Sequence, residues 1–561
     1  MNTPAELAAA RPWIAHYPPG RPIEVSQPPY PTLADLWRGA RREFGARVVA
    51  ESFGVRLTYE QIGRAADKVT AWLQAQGFRK GERAAIMSPN IMAYPAIMVG
   101  ILQAGGVVVN VNPLYTSREL EFQLGDSSPR VLFVLENFGA TVAAARDRFP
   151  VERIVLLSPG DLIGLKGRVV NFVSRQIKRA VPDAPLSGAI SFADLLKQAA
   201  RLEPRPVLIS GDDLAVLQYT GGTTGTAKGA MLLNRNLVAN IQQGADWFGP
   251  ELPSESPTVM VTALPLYHIF AMTACFWFQV LKGGSCLLIA NPRDIKGFIK
   301  TLRKSRFHIF AGVNTLYNAL ADHPDIRTVD FSDLRLCIAG GMAMQAAVAR
   351  KWRDLTGKVV LEGYGLSETS PVLCCNRPDL AEFSGTVGFP VPSTEISIRD
   401  SEGNEVPHGQ PGEICARGPQ VMAGYWDRPL ATEAAMTKDG FFRTGDGGVL
   451  LPDGQLRIVD RLKDMVIVSG FNVYPNEVED VLVEHPDVRE AAVVGRPCAA
   501  TGEEVVAFVV PRSDDLTEES LRKFCRERLT GYKIPRAFIF REDLPKSNVG
   551  KVLRRQLKEL L

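Results

Sequence analysis

Tyr219-Thr-Gly-Gly-Thr-Thr-Gly-Thr-Ala-Lys-Gly229 follows a short apolar run, Leu214 to Leu217, that reads as a strand. The stretch holds four glycines (Gly221, Gly222, Gly225, Gly229), four threonines (Thr220, Thr223, Thr224, Thr226) and a single lysine, Lys228, after Ala227. Glycines admit a bulky anion because no Cβ stands in the way. Backbone N–H groups in such a loop converge into an anion-binding nest. The hydroxyls add donors and Lys228 a mobile positive charge. The reading is a triphosphate cradle. A Walker A loop would end Gly-Lys-Ser/Thr, but Lys228 lies between Ala227 and Gly229, and no G-x-G-x-x-G is present in the stretch.

Outward from this loop, strands alternate with helices. Leu33 to Phe44 has helical spacing, and a strand at Val55 leads into a helix reaching about Gln76. Arg83–Met87, Gly106–Asn112 and Arg130–Leu135 are apolar strand runs separated by an apolar helix, Asn90–Leu102, and a helix capped around Ser117. Further strand runs follow at Pro257–Ala263, Gly284–Ile289, His308–Ala311, Leu334–Ala339 and Val359–Leu361. This alternation implies parallel β-α-β units and an α/β class. Residues 385–460 change to short strands with turn signals, an antiparallel β subdomain. After Asp460 the pattern is mixed α+β over about 100 residues, enough for a small domain. The expected organisation is a large N-terminal region of α/β subdomains plus a β subdomain, residues 1–460, and a small mobile α+β C-terminal domain, residues 461–561.

Composition supports a globular chain of a few domains: 561 residues, 46% apolar and 22% charged. A net charge of +3 gives no basis for a nucleic-acid role. Eight cysteines without C-x-x-C spacing read as reduced and mostly buried, as in a cytoplasmic protein. Met1–Ala10 carries Glu6 and no basic segment ahead of an apolar run, so no signal peptide is expected. No run of 18 apolar residues suggests a membrane span.

Beyond the cradle stand Ala263-Leu-Pro-Leu-Tyr-His-Ile-Phe270, Ala339-Gly-Gly-Met-Ala343, Glu362-Gly-Tyr-Gly-Leu-Ser-Glu-Thr369, Asp439-Gly-Phe-Phe-Arg-Thr-Gly-Asp-Gly-Gly448, Arg457-Ile-Val-Asp-Arg-Leu-Lys463, Val468-Ser-Gly-Phe-Asn-Val-Tyr-Pro475 and Leu544-Pro-Lys-Ser-Asn-Val-Gly-Lys551. In this order, from about Pro31 to the C-terminus, the chain resembles the adenylate-forming superfamily of acyl-CoA synthetases, aryl-CoA ligases, luciferases and peptide-synthetase adenylation domains. It is most similar to bacterial long-chain fatty acid–CoA ligases, on Tyr267-His-Ile-Phe, Asn291-Pro-Arg-Asp-Ile, Pro390-Val-Pro-Ser-Thr and Gly418-Pro-Gln-Val-Met.

The resemblance implies roles. Residues 219–229 hold the ATP phosphates, with Gly341, Gly363, Tyr364 and Gly365 around the adenine, Asp446 at the ribose, and Arg461 at the ribose or a phosphate. Ser367 meets the α-phosphate. Glu368, with Thr220, binds Mg²⁺, a metal that takes oxygen ligands shared with phosphates. His268 positions the acid substrate; no general base is needed, since a carboxylate is already ionised near neutral pH. Lys551 contacts the carboxylate and α-phosphate. Lys463 is the hinge, and Ser469, Gly470 and Phe471 line the CoA path. Met272 stands where some long-chain relatives carry a tryptophan gate. The implied activity joins a fatty acid to CoA through acyl-AMP. The alternatives are an acyl-AMP ligase serving a carrier protein, an aryl-CoA ligase, and a non-catalytic acyl-nucleotide sensor. The last should lack the terminal lysine or the metal carboxylate, and both are present. Oligomeric state is left open, with a homodimer as one option.

Residues 162–179 contain Lys166, Arg168, Arg175, Lys178 and Arg179 and no acid, with Val169, Phe172, Val173 and Ile177 at helical spacing. This reads as a basic amphipathic helix suited to a peripheral contact with an anionic bilayer, against the alternative of an ordinary surface helix packed by its apolar side.

Overall fold

The computed structural model describes residues 11–182, 186–220, 227–253, 256–461, 464–469, 471–498, 500–547 and 550–561. Gly221, Gly222, Thr223, Thr224, Gly225, Thr226, Lys463 and Gly470 lie outside the described residues.

Apolar strand runs buried on both sides build two large, mostly parallel sheets. The seven-stranded sheet runs Ile190–Ser191, Arg153–Leu157, Val131–Leu135, Arg83–Met87, Val107–Val111, Leu214–Thr220, Lys228–Leu233, and only the last pair is antiparallel. The nine-stranded sheet runs Phe389–Pro390, Val372–Cys375, Val360–Gly365, Leu336–Gly340, Ile309–Gly312, Val259–Thr262, Ser285–Leu288, Val48–Ser52, Val55–Thr58. Its central strands are parallel and its two ends antiparallel.

Helices start where their caps dictate. Thr58 accepts from the Gln61 N–H and Gln61 returns the bond, opening Tyr59–Ala75. Thr116 and Glu119 do the same for Ser117–Ser127, so the cap is one residue earlier than the Ser117 expected from sequence. Such reciprocal pairs satisfy two otherwise orphaned donors. The helix Ala93–Gln103 is buried on nearly every side, which explains its unbroken apolar character. No helix of the described residues is long and apolar enough to cross a membrane. None of the eight cysteines forms a disulfide, and seven are buried.

A four-stranded antiparallel sheet follows: Glu395–Arg399, Pro411–Arg417, Phe442–Leu450 and Leu456–Arg461. The small C-terminal domain has its own five-stranded sheet, with the long pair Val488–Cys498 and Gly502–Pro511 at its heart. It also has its own apolar core, including Val466, Val478, Leu482, Val493 and Leu521.

Candidate active site

The site segments leave the carboxyl ends of neighbouring parallel strands, where open α/β sheets present their ligand crevices. Thr220 ends Leu214–Thr220. The Leu264–His268 segment follows Val259–Thr262, and Val313 to Thr315 follow Ile309–Gly312. Gly341 follows Leu336–Gly340, and Leu366 to Glu368 follow Val360–Gly365. These segments border one cavity of about 1270 Å³. Tyr219, Thr220 and Lys228 line it from one sheet; His268, Gly341, Gly363, Tyr364, Gly365, Ser367 and Glu368 line it from the other. Arg461 and Lys551 complete it from the C-terminal side.

The Gly/Thr stretch joins two antiparallel strands in which Tyr219 pairs with Gly229 and Thr220 with Lys228. Gly229 makes room for an aromatic ring: a Cβ there would lie 3.1 Å from Tyr219. Lys228 Nζ sits 4.9 Å above the Tyr425 ring, a cation–π contact. Tyr425 also donates its O–H to Glu368 Oε1 at 2.9 Å. Sequence reasoning missed this tyrosine. It lies 57 residues from Glu368 and reaches the site through an isolated bridge to Ala230, a contact that no local pattern announces.

Glu368 is buried and forms no ion pair among the described residues. Burial raises its pKa, while the Tyr425 hydroxyl and Arg461 work in the opposite direction. No group of three or more His, Cys, Asp or Glu among the described residues is poised to hold a metal. One carboxylate and the Thr220 hydroxyl suit Mg²⁺, which commonly takes one or two protein carboxylates and completes its shell with phosphates and water.

Asp446 lies directly across the strand pair from Arg461. It accepts the Tyr364 hydroxyl at 2.8 Å and stands 3.3 Å from Arg461 Nε. A Cβ on Gly365 would lie 1.7 Å from the Pro371 carbonyl, so only glycine fits there. Gly341 holds φ +80, a conformation glycine adopts without steric cost. Under this turn the buried Glu362 accepts the Met344 N–H at 3.0 Å. Desolvation pushes the Glu362 carboxyl up to about 8, so it is largely protonated at neutral pH.

His268 is fixed by a buried polar network. Asn90 binds the Thr262 and Leu264 carbonyls and accepts the Leu266 N–H. Asn110 donates to Gln218, which donates to the Tyr267 carbonyl. His268 Nδ1 accepts the Phe270 N–H at 3.3 Å, leaving Nε2 as the donor. Burial, then the charge of Lys551, lowers its pKa to about 4, so the ring is neutral at physiological pH. The following residues, Phe270–Trp277, are π-helical. Phe270, Ala274 and Phe278 line the cavity, whereas Met272 is buried and its Sδ accepts from Asn110 at 3.5 Å. Met272 therefore does not stand at the expected gate. Its N–H donates to the His268 carbonyl at 3.0 Å, and its side chain packs toward the neighbouring sheet.

Lys551 rides on a tight turn in which the Ser547 N–H donates to the Lys551 carbonyl. Thr315 holds the adjacent Gly550 carbonyl at 3.4 Å. Arg554 binds Asp460, Asn476 and Glu479, which ties this turn to the start of the C-terminal region. Burial, then Arg461, lowers the Lys551 pKa to about 8, with Asp446 and Asp464 opposing. A lysine with a lowered pKa is charged below that value and neutral above it. If its charge is needed, kcat/KM for adenylation should fall as pH rises through about 8, since that parameter follows free-enzyme ionisations. Lys551→Arg should remove this alkaline limb; an unchanged limb would assign it elsewhere. Ser469 and Phe471, on the hairpin of Val466–Val468 and Phe471–Val473, lie outside the cavity lining.

The remaining wall is apolar. Helix Asn234–Phe248 contributes Ile241, Gly244, Trp247 and Phe248, with Asn240 as its one polar member, facing Phe278, Ile338 and Val391 among others. A Cβ on Gly244 would make only ordinary contact, 3.6 Å, with Phe278.

Residues 36–426 match the model of the AMP-binding enzyme family, and 477–551 that of the AMP-binding enzyme C-terminal domain. The chain belongs to the AMP-binding enzyme family. Within reach of this AMP-binding enzyme are the long-chain-fatty-acid–CoA ligase of Escherichia coli O6:H1, 48% identical over 98% of both chains, and that of Bacillus subtilis, 36% identical over 99% of this chain and 98% of that one. Among solved structures, ATP-bound MatB from Rhodopseudomonas palustris is 30% identical with a TM-score of 0.81, covering 94% of this chain and 98% of its own. An anthranilate CoA ligase, AuaEII, in complex with anthranoyl-AMP is 26% identical with a TM-score of 0.83, covering 95% and 97%.

Proposed function

We propose that this AMP-binding enzyme is a long-chain fatty acid–CoA ligase that works through an acyl-adenylate. The observation that carries the reading is one cavity continuous from Lys228, Glu368 and Lys551 to the apolar wall of Ile241, Trp247, Phe248 and Phe278. A carboxylate can meet a nucleotide there while its alkyl chain stays dry. Relatives with that activity in their names match nearly the whole chain.

In the first step a carboxylate oxygen attacks the α-phosphorus of ATP, and the bond to the β-phosphate oxygen breaks to release pyrophosphate. Lys228 and the 219–229 loop hold the phosphates, Ser367 and Lys551 meet the α-phosphate, and Asp446 with Arg461 binds the ribose. Neutral His268 orients the carboxylate through its Nε2–H. Glu368 with Thr220 would hold Mg²⁺, which would supply positive charge to the phosphates. In the second step the CoA thiolate attacks the acyl carbonyl and AMP leaves. Residues 461–561 move as a unit about Lys463, withdrawing Lys551 and bringing Ser469, Gly470 and Phe471 to the thiol path. The enzyme is proposed to act in the cytoplasm, meeting its fatty acid at a membrane surface through residues 162–179.

The test is pyrophosphate and AMP release with ATP and Mg²⁺ across acids from acetate to oleate, with and without CoA. Oleate turnover requiring CoA is the expected result. Stable acyl-AMP in the presence of CoA would assign the acyl group to a carrier protein, and activity confined to aryl or short acids would overturn the substrate.

The apolar wall makes a further prediction. Gly244→Phe, at a position where a Cβ meets only Phe278 at contact distance, should cut kcat/KM for oleate by roughly 100-fold while sparing octanoate, as expected when several methylenes lose their pocket. Equal losses for both acids would show that the chain does not pass Gly244.

A further inference from the structure

The segment 162–179 presents its apolar stripe to solvent. Gly164–Phe172 is α-helical and Val173–Ile177 continues it as a π-helix. The face toward the protein is built mainly from small and polar groups, with Val170 packed against the core. A Cβ on Gly167 would lie 2.0 Å from the Gly160 carbonyl oxygen. Asn171 accepts the Gly160 N–H at 2.7 Å. Ser174 is buried. Arg175 grips Glu136 with Nε and with Nη2, the latter at 2.7 Å from Oε2. The helix is thus firmly docked, and one of its five cations is used to dock it.

The large apolar side chains point the other way. Leu165, Val169, Phe172 and Ile177 are 76%, 61%, 58% and 67% exposed. At ~100° per residue, Leu165, Val169 and Phe172 fall within an arc of about 60°, with Gly167 and Ser174 opposite and Lys166 and Arg168 on the two flanks. The i→i+5 pattern of the π turn then carries the stripe from Phe172 to Ile177. Lys166, Arg168, Lys178 and Arg179 are exposed and form no ion pair among the described residues. Beside this face, the hairpin tip between Val48–Ser52 and Val55–Thr58 presents Phe53, 41% exposed. Lys166 Nζ lies 3.2 Å from where a Gly54 Cβ would stand.

An ordinary surface helix buries its apolar side and exposes its charges. Here a docked helix exposes both, with cations bordering an apolar stripe, which is the arrangement of helices that lie in a bilayer interface. We propose that residues 164–179, with Phe53 at their edge, form a docking face for an anionic lipid surface. The apolar stripe enters the acyl boundary and the flanking cations meet headgroup phosphates. That this surface delivers the fatty acid rests on the ligase reading; lipid binding itself does not.

The experiment is flotation of the full-length protein with phosphatidylcholine vesicles, with and without phosphatidylglycerol. Wild type should float only with the anionic vesicles, and less at high salt. Lys178→Glu/Arg179→Glu should weaken binding by at least about 25-fold, the effect of losing two cations close to an anionic bilayer. Val169→Ser/Phe172→Ser should abolish flotation, while octanoate turnover in solution stays at the wild-type rate in both variants. Failure of the wild type to float, or flotation unchanged in both variants, overturns the proposal. So does a wild-type dimer in sedimentation that Val169→Ser/Phe172→Ser dissociates, without vesicle binding, since the face would then belong to a second copy. Flotation as expected without oleate turnover would leave the docking face standing and overturn only the ligase reading.

Discussion

Lys551→Ala is expected to lower pyrophosphate release in the first half-reaction by about 10²–10³-fold, the usual cost of removing one positioned donor from developing oxyanion charge. Lys551 is held at the cavity by a turn that Thr315 and Arg554 pin from two sides, so its placement does not depend on a flexible stem alone. Two other lysines at the cavity have their own partners: Lys228 lies over the Tyr425 ring, and Lys546 is paired with Glu490 and Asp543. The second half-reaction should behave differently. Supplied with preformed oleoyl-AMP and CoA, the variant should make the thioester at close to the wild-type rate, because the proposed mechanism withdraws Lys551 for that step. Rapid-quench measurement of the two half-reactions separates these outcomes. Equal losses in both would show that Lys551 serves the fold or the domain arrangement and not the adenylation chemistry.

Glu368→Gln should lower adenylation by a similar factor of about 10²–10³ at limiting Mg²⁺ and raise the Mg²⁺ concentration needed for half-maximal rate. The buried carboxylate has a hydroxyl partner, Tyr425, but no paired cation among the described residues. A divalent ion would complete it, and glutamine keeps the shape while removing the charge. Calorimetry supplies a readout apart from turnover: ATP binding without metal should be unchanged, and Mg²⁺–ATP binding weakened. Tyr425→Phe should cost far less, since Tyr425 orients Glu368 and carries Lys228 by its ring, which phenylalanine retains. An unaltered Mg²⁺ midpoint in Glu368→Gln would remove Glu368 from the metal site.

Much of the molecule was legible before folding. Strand runs such as Arg83–Met87 and helices such as Leu33–Phe44 carry their own period and caps, because local sterics and hydrogen bonding set them. The adjacency of Asp446 and Arg461 follows from two strands meeting through a short turn, Pro452-Asp-Gly454, which sequence marks plainly. The segments carrying His268, Gly341 and Ser367–Glu368 also follow, in chain order, strands of one sheet, so their convergence at its carboxyl edge follows from parallel topology.

Other features required the folded chain. Tyr425 reaches Lys228 and Glu368 only because its segment packs beside Lys228–Leu233. Phe270, Ala274 and Phe278 share one helical face at i, i+4 and i+8, and only packing decides that this face meets the cavity while Met272 turns to Asn110 of the neighbouring sheet. The lowered pKa of His268 arises from burial and then from the charge of Lys551, 283 positions away in the chain, and that of Lys551 from burial and then Arg461. The helix at 164–177 states the division most clearly. Sequence determined that it would be basic and amphipathic, since composition and period are local. Only the tertiary structure decided which side faces water, because the close approach of Gly167 to Gly160 and the Arg175–Glu136 pair dock the small face and leave the apolar one outside.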